Sequence, residues 1–229
     1  AVASELGRPV SMLSFLLNAQ TWPSEARPFL ITNIALHAVN TILLAFIIFQ
    51  LLQRATGEQL SRHALGIAAF SALIWGCHPF LVSTTLYIVQ RMAMLSTFFC
   101  LAAIALYVST RVSVLSRPEP RPVKAFVVAA GIGVLTLLAV LSKENGALAP
   151  LLILVIEFFM IRPLWDTKCD SPWFRRWLLA VLALPALVLA ALLLQKTYSI
   201  GLFEQVGTRP FTGIERLLAQ PLILLYYLY

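Results

Sequence analysis

The chain has 229 residues, of which 60% are hydrophobic and only 12% charged, against about a quarter charged in a soluble domain. Its mean hydropathy is +0.86. This excludes an ordinary soluble enzyme, a disordered tail and a disulfide-rich secreted module, and predicts an all-α, polytopic transmembrane helix bundle. The net charge of +7 comes from 17 Lys and Arg against 10 Asp and Glu. In a soluble chain that excess would suggest nucleic acid. Here most of it falls in short loops between apolar runs, a sign of membrane orientation, so the lipid bilayer and not nucleic acid is the expected partner.

In chain order, Val10 to Leu17 is apolar but too short to span. It reads as an interfacial or re-entrant helix, or as a loop helix packed on the bundle. A bilayer core about 30 Å thick asks for about 20 apolar residues in helix. Six runs approach that length, at residues 29–52, 64–81, 92–108, 125–141, 147–161 and 177–194, and a seventh starts near Arg216. Pro79 stands near the end of the second and Pro185 inside the sixth, where a kink is tolerated in a bundle. About seven membrane segments are thus expected over 29–229, preceded at 1–28 by the end of an outside loop. The chain begins at Ala1 without a signal peptide and stops inside an apolar run, so a larger protein, with a further helix upstream, is expected.

Basic residues set the orientation. Arg54 and Arg62 lie between the first two runs. Arg111, Arg117, Arg121 and Lys124 lie between the third and fourth, and Arg162, Lys168, Arg175 and Arg176 between the fifth and sixth. The intervening loops are poorer, with Arg91 and Lys143 alone in two of them. The positive-inside rule puts the rich loops in the cytoplasm and the poor ones outside. Trp165, Trp173 and Trp177 then fit an inner aromatic belt, and Trp22 and Trp75 an outer one. Cys77, Cys100 and Cys169 are too few and scattered for a disulfide frame or zinc site.

Polar groups inside the spans need a reason. Asn33, His37 and Asn40 follow one another at spacings of four and three, which puts them on one helix face. That face suits interhelical hydrogen bonds or the lining of a substrate cavity. Glu157 lies five residues before Arg162, with which it can pair. The outside-facing polar groups are His78-Pro79, Gln90-Arg91 and Ser142-Lys143-Glu144-Asn145-Gly146. Two cations there can hold a phosphate or diphosphate headgroup, Arg91 by forked hydrogen bonds and Lys143 as a point charge. Glu144 can pair with either cation, bind a metal or act as a base. Snorkelling charges with one salt bridge are the plainer alternative. No Walker A loop, GxSxG, HExxH, CxxC or dinucleotide fingerprint occurs.

Several stretches fall into a known order: Gly7-Arg8-Pro9-Val10-Ser11-Met12-Leu13-Ser14-Phe15, Asn33-Ile34-Ala35-Leu36-His37-Ala38-Val39-Asn40, His78-Pro79, Tyr87-Ile88-Val89-Gln90-Arg91, Leu141-Ser142-Lys143-Glu144 and Leu217-Leu218-Ala219-Gln220-Pro221. In these the chain resembles the GT-C glycosyltransferases of the TMTC-like group, whose bacterial relatives carry C-terminal tetratricopeptide repeats. The resemblance implies a GT-C-like bundle in a bacterial inner membrane. Its periplasmic face would move a sugar from a polyprenyl-phosphate or -diphosphate donor to a protein or glycan hydroxyl, as in protein O-glycosylation. It carries over Glu144 and His78 as candidate catalytic residues, and Arg8, His37, Arg91 and Lys143 as candidate donor-binding residues. In such enzymes the first outside loop usually carries a catalytic acid, which here falls upstream of residue 1. Glu144 beside cations is then expected to act electrostatically rather than as the base. Many relatives have Glu and Asp where this chain has Ser83 and Ala93, so no metal or base role tied to those acids carries over, and a divalent-metal cofactor stays open. A metal-independent O-antigen ligase or polymerase, and a non-enzymatic scaffold presenting C-terminal repeats, are the alternative readings.

Overall fold

A computed structural model of the chain describes residues 8–19, 25–55, 57–115, 122–164, 172–189, 191, 195 and 213–228. Among them there is no strand. The elements are α1 (Pro9–Leu16), α2 (Ala26–Gln53), α3 (Glu58–Gly76), α4 (Val82–Leu86), α5 (Arg91–Thr110), α6 (Pro122–Ser142), α7 (Ala149–Ile156), α8 (Arg162–Leu164), α9 (Pro172–Leu178) and α10 (Gly213–Leu228). Cys169, Trp22, Trp165, Arg117, Arg121 and Lys168 lie outside the described residues.

Five segments are long and apolar enough to cross a membrane: Ala26–Gln53, Ile88–Thr110, Pro122–Ser142, Glu144–Ile161 and Pro172–Leu189. Glu58–Gly76 and Pro79–Leu86 together make a sixth, bent by 52°. The break falls at His78-Pro79, where proline removes a backbone donor and starts a new turn. The described residues therefore give five or six spans rather than about seven. The last expected segment is α10, a helix of 16 residues with Pro221 inside it. The spans keep large apolar side chains on their outsides, such as Ile31, Ile42, Phe70, Phe126 and Phe159. In water such surfaces would be untenable, and lipid covers them. The chain is a membrane protein.

α5 packs against α2 on one side and α6 on the other, and α3 lies against α2. The α2–α3 seam is built from small residues: Ala64, Ala68 and Ala72 are buried at a spacing of four. Gly76 continues the series, and a β-carbon there would come within 2.7 Å of Thr41 Oγ1. Small side chains let backbones approach where lipid supplies no hydrophobic drive. The polar face of α2 is used as interhelical glue. Asn33 Nδ2 donates to the Thr85 carbonyl (3.2 Å), Asn40 Nδ2 to the Met94 carbonyl (3.0 Å), and His37 Nε2 meets the Gly76 carbonyl (2.8 Å).

The end of the bundle where α5 finishes closes on a buried ion pair. Arg111 Nε and Nη2 fork onto Glu157 at 2.9 and 2.7 Å, and Tyr107 Oη donates to the same carboxylate at 2.8 Å. Both charged side chains are 0% exposed. Phe174 lies 3.9 Å from the Arg111 guanidinium carbon. Arg162, the partner expected from spacing, adds a longer contact of 3.4 Å. Arg111 is thus not a free loop charge but part of the core. Trp177, expected in an interfacial belt, is likewise buried and donates to the Ala125 carbonyl at 3.3 Å.

Three widened π turns, Arg111–Leu115, Glu157–Ile161 and Leu179–Ala183, occur among the described residues. The last two are each followed two residues later by a proline, Pro163 and Pro185. A proline in a helix leaves the carbonyl four residues back without its donor and crowds it. Widening the preceding turn relieves that conflict. Two of the three turns start at the residues of the buried pair.

Glu157→Gln should strand a buried guanidinium, with a loss of about 3–5 kcal/mol. Arg162→Ala, on the partly exposed partner, should change stability by under about 1 kcal/mol. Thermal unfolding of both variants in detergent checks this; equal melting temperatures would contradict it.

Candidate functional site

The other end of α5 starts at Arg91, whose side chain is 0% exposed. Nε donates to Asn33 Oδ1 (2.9 Å), Nη1 to the Ser14 carbonyl (2.8 Å) and Asn18 Oδ1 (2.6 Å), and Nη2 to the Phe29 carbonyl (2.9 Å). The guanidinium carbon lies 4.9 Å from the Phe15 ring centre and 5.4 Å from that of Phe29. The Ser14 carbonyl belongs to the last turn of α1, where carbonyls lack intrahelical partners. Arg91 therefore ties α1 and the start of α2 to α5. This corrects the expectation of a water-accessible phosphate ligand, because a guanidinium holding four neutral acceptors and two rings has no fork left to offer.

α1 is fastened at its other end too. Ser11 Oγ donates to the Ser142 carbonyl at 2.8 Å. Arg8, just before α1, donates from Nε (3.2 Å) and Nη2 (3.0 and 3.2 Å) to the Glu144 carboxylate, and from Nη1 to Met92 Sδ at 3.4 Å. Arg8 has φ 47°, the one non-glycine positive value among the described residues. Glu144 thus holds an arginine 136 residues away, where position alone suggested Lys143 or Arg91.

The turn carrying Lys143 and Glu144 is fixed by glycine. Lys143 N–H donates to the Ala139 carbonyl and Gly146 N–H to the Lys143 carbonyl, both at 2.9 Å. A β-carbon on Gly146 would collide with the backbone of Ala139. Only glycine lets this turn fold so closely over the end of α6.

Between this turn and α5 lies a cavity of about 280 Å³. Ala93, Ser96, Thr97, Cys100, Leu101 and Ile104 form the α5 wall; Lys143, Asn145, Leu148 and Leu152 face them. The polar groups gather near residues 93–97 and 143–145, and the wall turns apolar further along both helices. The Lys143 ammonium makes no hydrogen bond or ion pair among the described residues. The site offers one available cation at the head of an apolar slot, which suits an anionic amphiphile. Ser96 and Thr97 were not anticipated, whereas Asn145 belongs to the polar cluster singled out in the sequence. The alternation of Ser96, Thr97 and Cys100 in an otherwise apolar run was the available signal.

His37 and His78 do not line this cavity. The His37 ring is held by the Gly76 carbonyl and lies 5.4 Å from the Trp75 ring centre. His78 is exposed and its Nδ1 accepts the Phe80 N–H at 3.2 Å, capping the turn after the proline break. Among the described residues no group of three His, Cys, Asp or Glu side chains comes together as a metal-ligand set. No family model, curated protein or solved structure matches the chain.

Arg91→Ala should unfold this end of the bundle, costing about 3–5 kcal/mol through stranded acceptors and a void. Arg91→Lys should not restore it, since one ammonium cannot span four acceptors. Lys143→Ala should stay within about 0.5 kcal/mol of the parent. Melting temperatures of the purified variants decide; a stable Arg91→Ala protein would contradict the buried-clamp role. Gly146→Ala should also lower the melting temperature, by displacing the turn from Ala139.

Proposed function

We propose that the chain is an integral membrane glycosyltransferase of GT-C type, taking its sugar from a polyprenyl-phosphate or -diphosphate donor. The acceptor in this reading is a protein or glycan hydroxyl, and the reaction takes place at the outer, periplasmic face of a bacterial inner membrane. The observation that carries the reading is the Lys143 ammonium, which makes no hydrogen bond or ion pair among the described residues and lines the head of the apolar slot between α5 and α7. A lipid-linked phosphate matches both halves of that slot: charge at the head, hydrocarbon along Leu101, Ile104, Leu148 and Leu152.

The chemistry follows from the charge. The acceptor oxygen attacks the anomeric carbon, the bond from that carbon to the phosphate oxygen breaks, and its electron pair stays on the phosphate. Lys143 stabilises the charge that grows there. Arg91, whose guanidinium is taken up by neutral acceptors and which does not line the slot, does not touch the donor in this reading. Glu144, already holding the Arg8 fork, is a poor acceptor for the hydroxyl proton. The resemblance assigns that proton to an acid of the first outside loop.

Transfer should be measured with the full-length protein in nanodiscs, using a polyprenyl-phosphate-linked sugar. Lys143→Ala is expected to lower kcat by roughly 10²–10³, as for loss of one transition-state donor, with unchanged folding. Parental turnover in that variant would refute the assignment. Orientation has its own check. Cys77 is exposed, beside His78 at the end proposed to face outward. An impermeant thiol reagent on intact cells should label Cys77 and miss Cys169; the reverse pattern would put the slot on the wrong side.

A further inference from the structure

The Arg8–Glu144 pair stands directly beside the slot. Glu144 lies between Lys143 and Asn145, which both line it, and Met92, touched by Arg8 Nη1, precedes the lining residue Ala93. The pair is half-buried, with side-chain exposures of 30% and 39%, so solvent and an entering anion can reach it. An ion pair still partly in water can be exchanged for another anion at small net cost. Arg8 occupies a left-handed backbone conformation that a β-carbon disfavours, so its position depends on what its guanidinium holds. Glu144 therefore acts as an internal carboxylate occupying a fork that would equally fit a phosphate.

We infer that the Arg8–Glu144 pair is an exchangeable latch: an anionic head entering at Lys143 draws the Arg8 fork from Glu144 onto itself. This rests on the reading of the slot as a lipid-phosphate site and adds its regulation. Before binding, Glu144 neutralises Arg8 and holds α1 down against the Lys143 turn. After binding, two cations face the anion and Glu144 is released beside it. The latch favours a ligand that has both a forked anionic head and an apolar tail, because free phosphate gains nothing from the slot beyond.

The test uses the full-length protein in detergent and titrates farnesyl phosphate, with inorganic phosphate and farnesol as controls. The parent should bind farnesyl phosphate well above either control, and Lys143→Ala should lose that preference. Glu144→Gln removes the competing carboxylate and should tighten farnesyl phosphate binding by up to about fivefold, the range of a partly exposed ion pair expressed as a ratio. Arg8→Asn, whose short side chain tolerates the left-handed backbone, should weaken binding. In the Arg8→Asn background, Glu144→Gln should give no further gain. Weaker or unchanged binding in Glu144→Gln overturns the latch while leaving the slot intact. An equal gain with and without Arg8 also overturns it, since that would be general charge repulsion at Lys143. If the parent prefers neither farnesyl phosphate nor its controls, the slot itself is refuted and the latch with it. Inorganic phosphate binding as well as farnesyl phosphate would assign the head without the tail, and would likewise overturn the proposal.

Discussion

A cation buried among neutral partners organises the end of the bundle where α5 begins. Taking a guanidinium out of water costs several kcal/mol, and Arg91 has no carboxylate partner among the described residues to offset that cost. It is held instead by two asparagine side chains, two carbonyls and two aromatic faces. Those groups come from α1, α2 and the segment between them, so satisfying one side chain fixes where three segments meet. With α1 fastened, Ser11 reaches Ser142 and Arg8 reaches Glu144. The Lys143 turn is then held where it can face α5 across the slot.

The two ends of α5 differ in charge for a simple reason. Arg91 opens the helix and Arg111 follows it, and both are fully buried. Arg111 is neutralised by Glu157 where α5 finishes, with Arg162 adding a second cation near the surface. At the other end Arg91 is met by neutral groups alone among the described residues, and it is Lys143, on a separate turn, that lines the slot.

Much of the fold was legible because a membrane helix is written in its length and apolarity. The runs at 29–52, 92–108 and 125–141 became Ala26–Gln53, Arg91–Thr110 and Pro122–Ser142. The shared face of Asn33, His37 and Asn40 was also readable from spacing, and it serves as interhelical glue. What sequence could not supply was pairing at a distance. Arg91 and Asn33 are 58 residues apart, Arg111 and Glu157 are 46 apart, and Arg8 and Glu144 are 136 apart. Local periodicity carries no record of such partners. Arg111 sat at the edge of an apolar run, where a charge reads as a loop residue, and its burial depends on Glu157 arriving from another helix. Lys143 was legible as a boundary cation, but that its neighbour Glu144 turns to Arg8, 136 residues away, was not. Comparison with known proteins adds no family here, so the functional reading stands on this geometry and on the motifs themselves.

The most direct test of the account is an experimental structure of the full-length protein bound to a polyprenyl phosphate in nanodiscs. The account predicts phosphate density within hydrogen-bond distance of Lys143 Nζ and hydrocarbon density along Leu101, Ile104, Leu148 and Leu152, with Arg91 still holding Asn33 and Ser14. Phosphate held by an Arg91 turned out of its pocket, or a lipid seated away from the slot with Lys143 untouched, would contradict it.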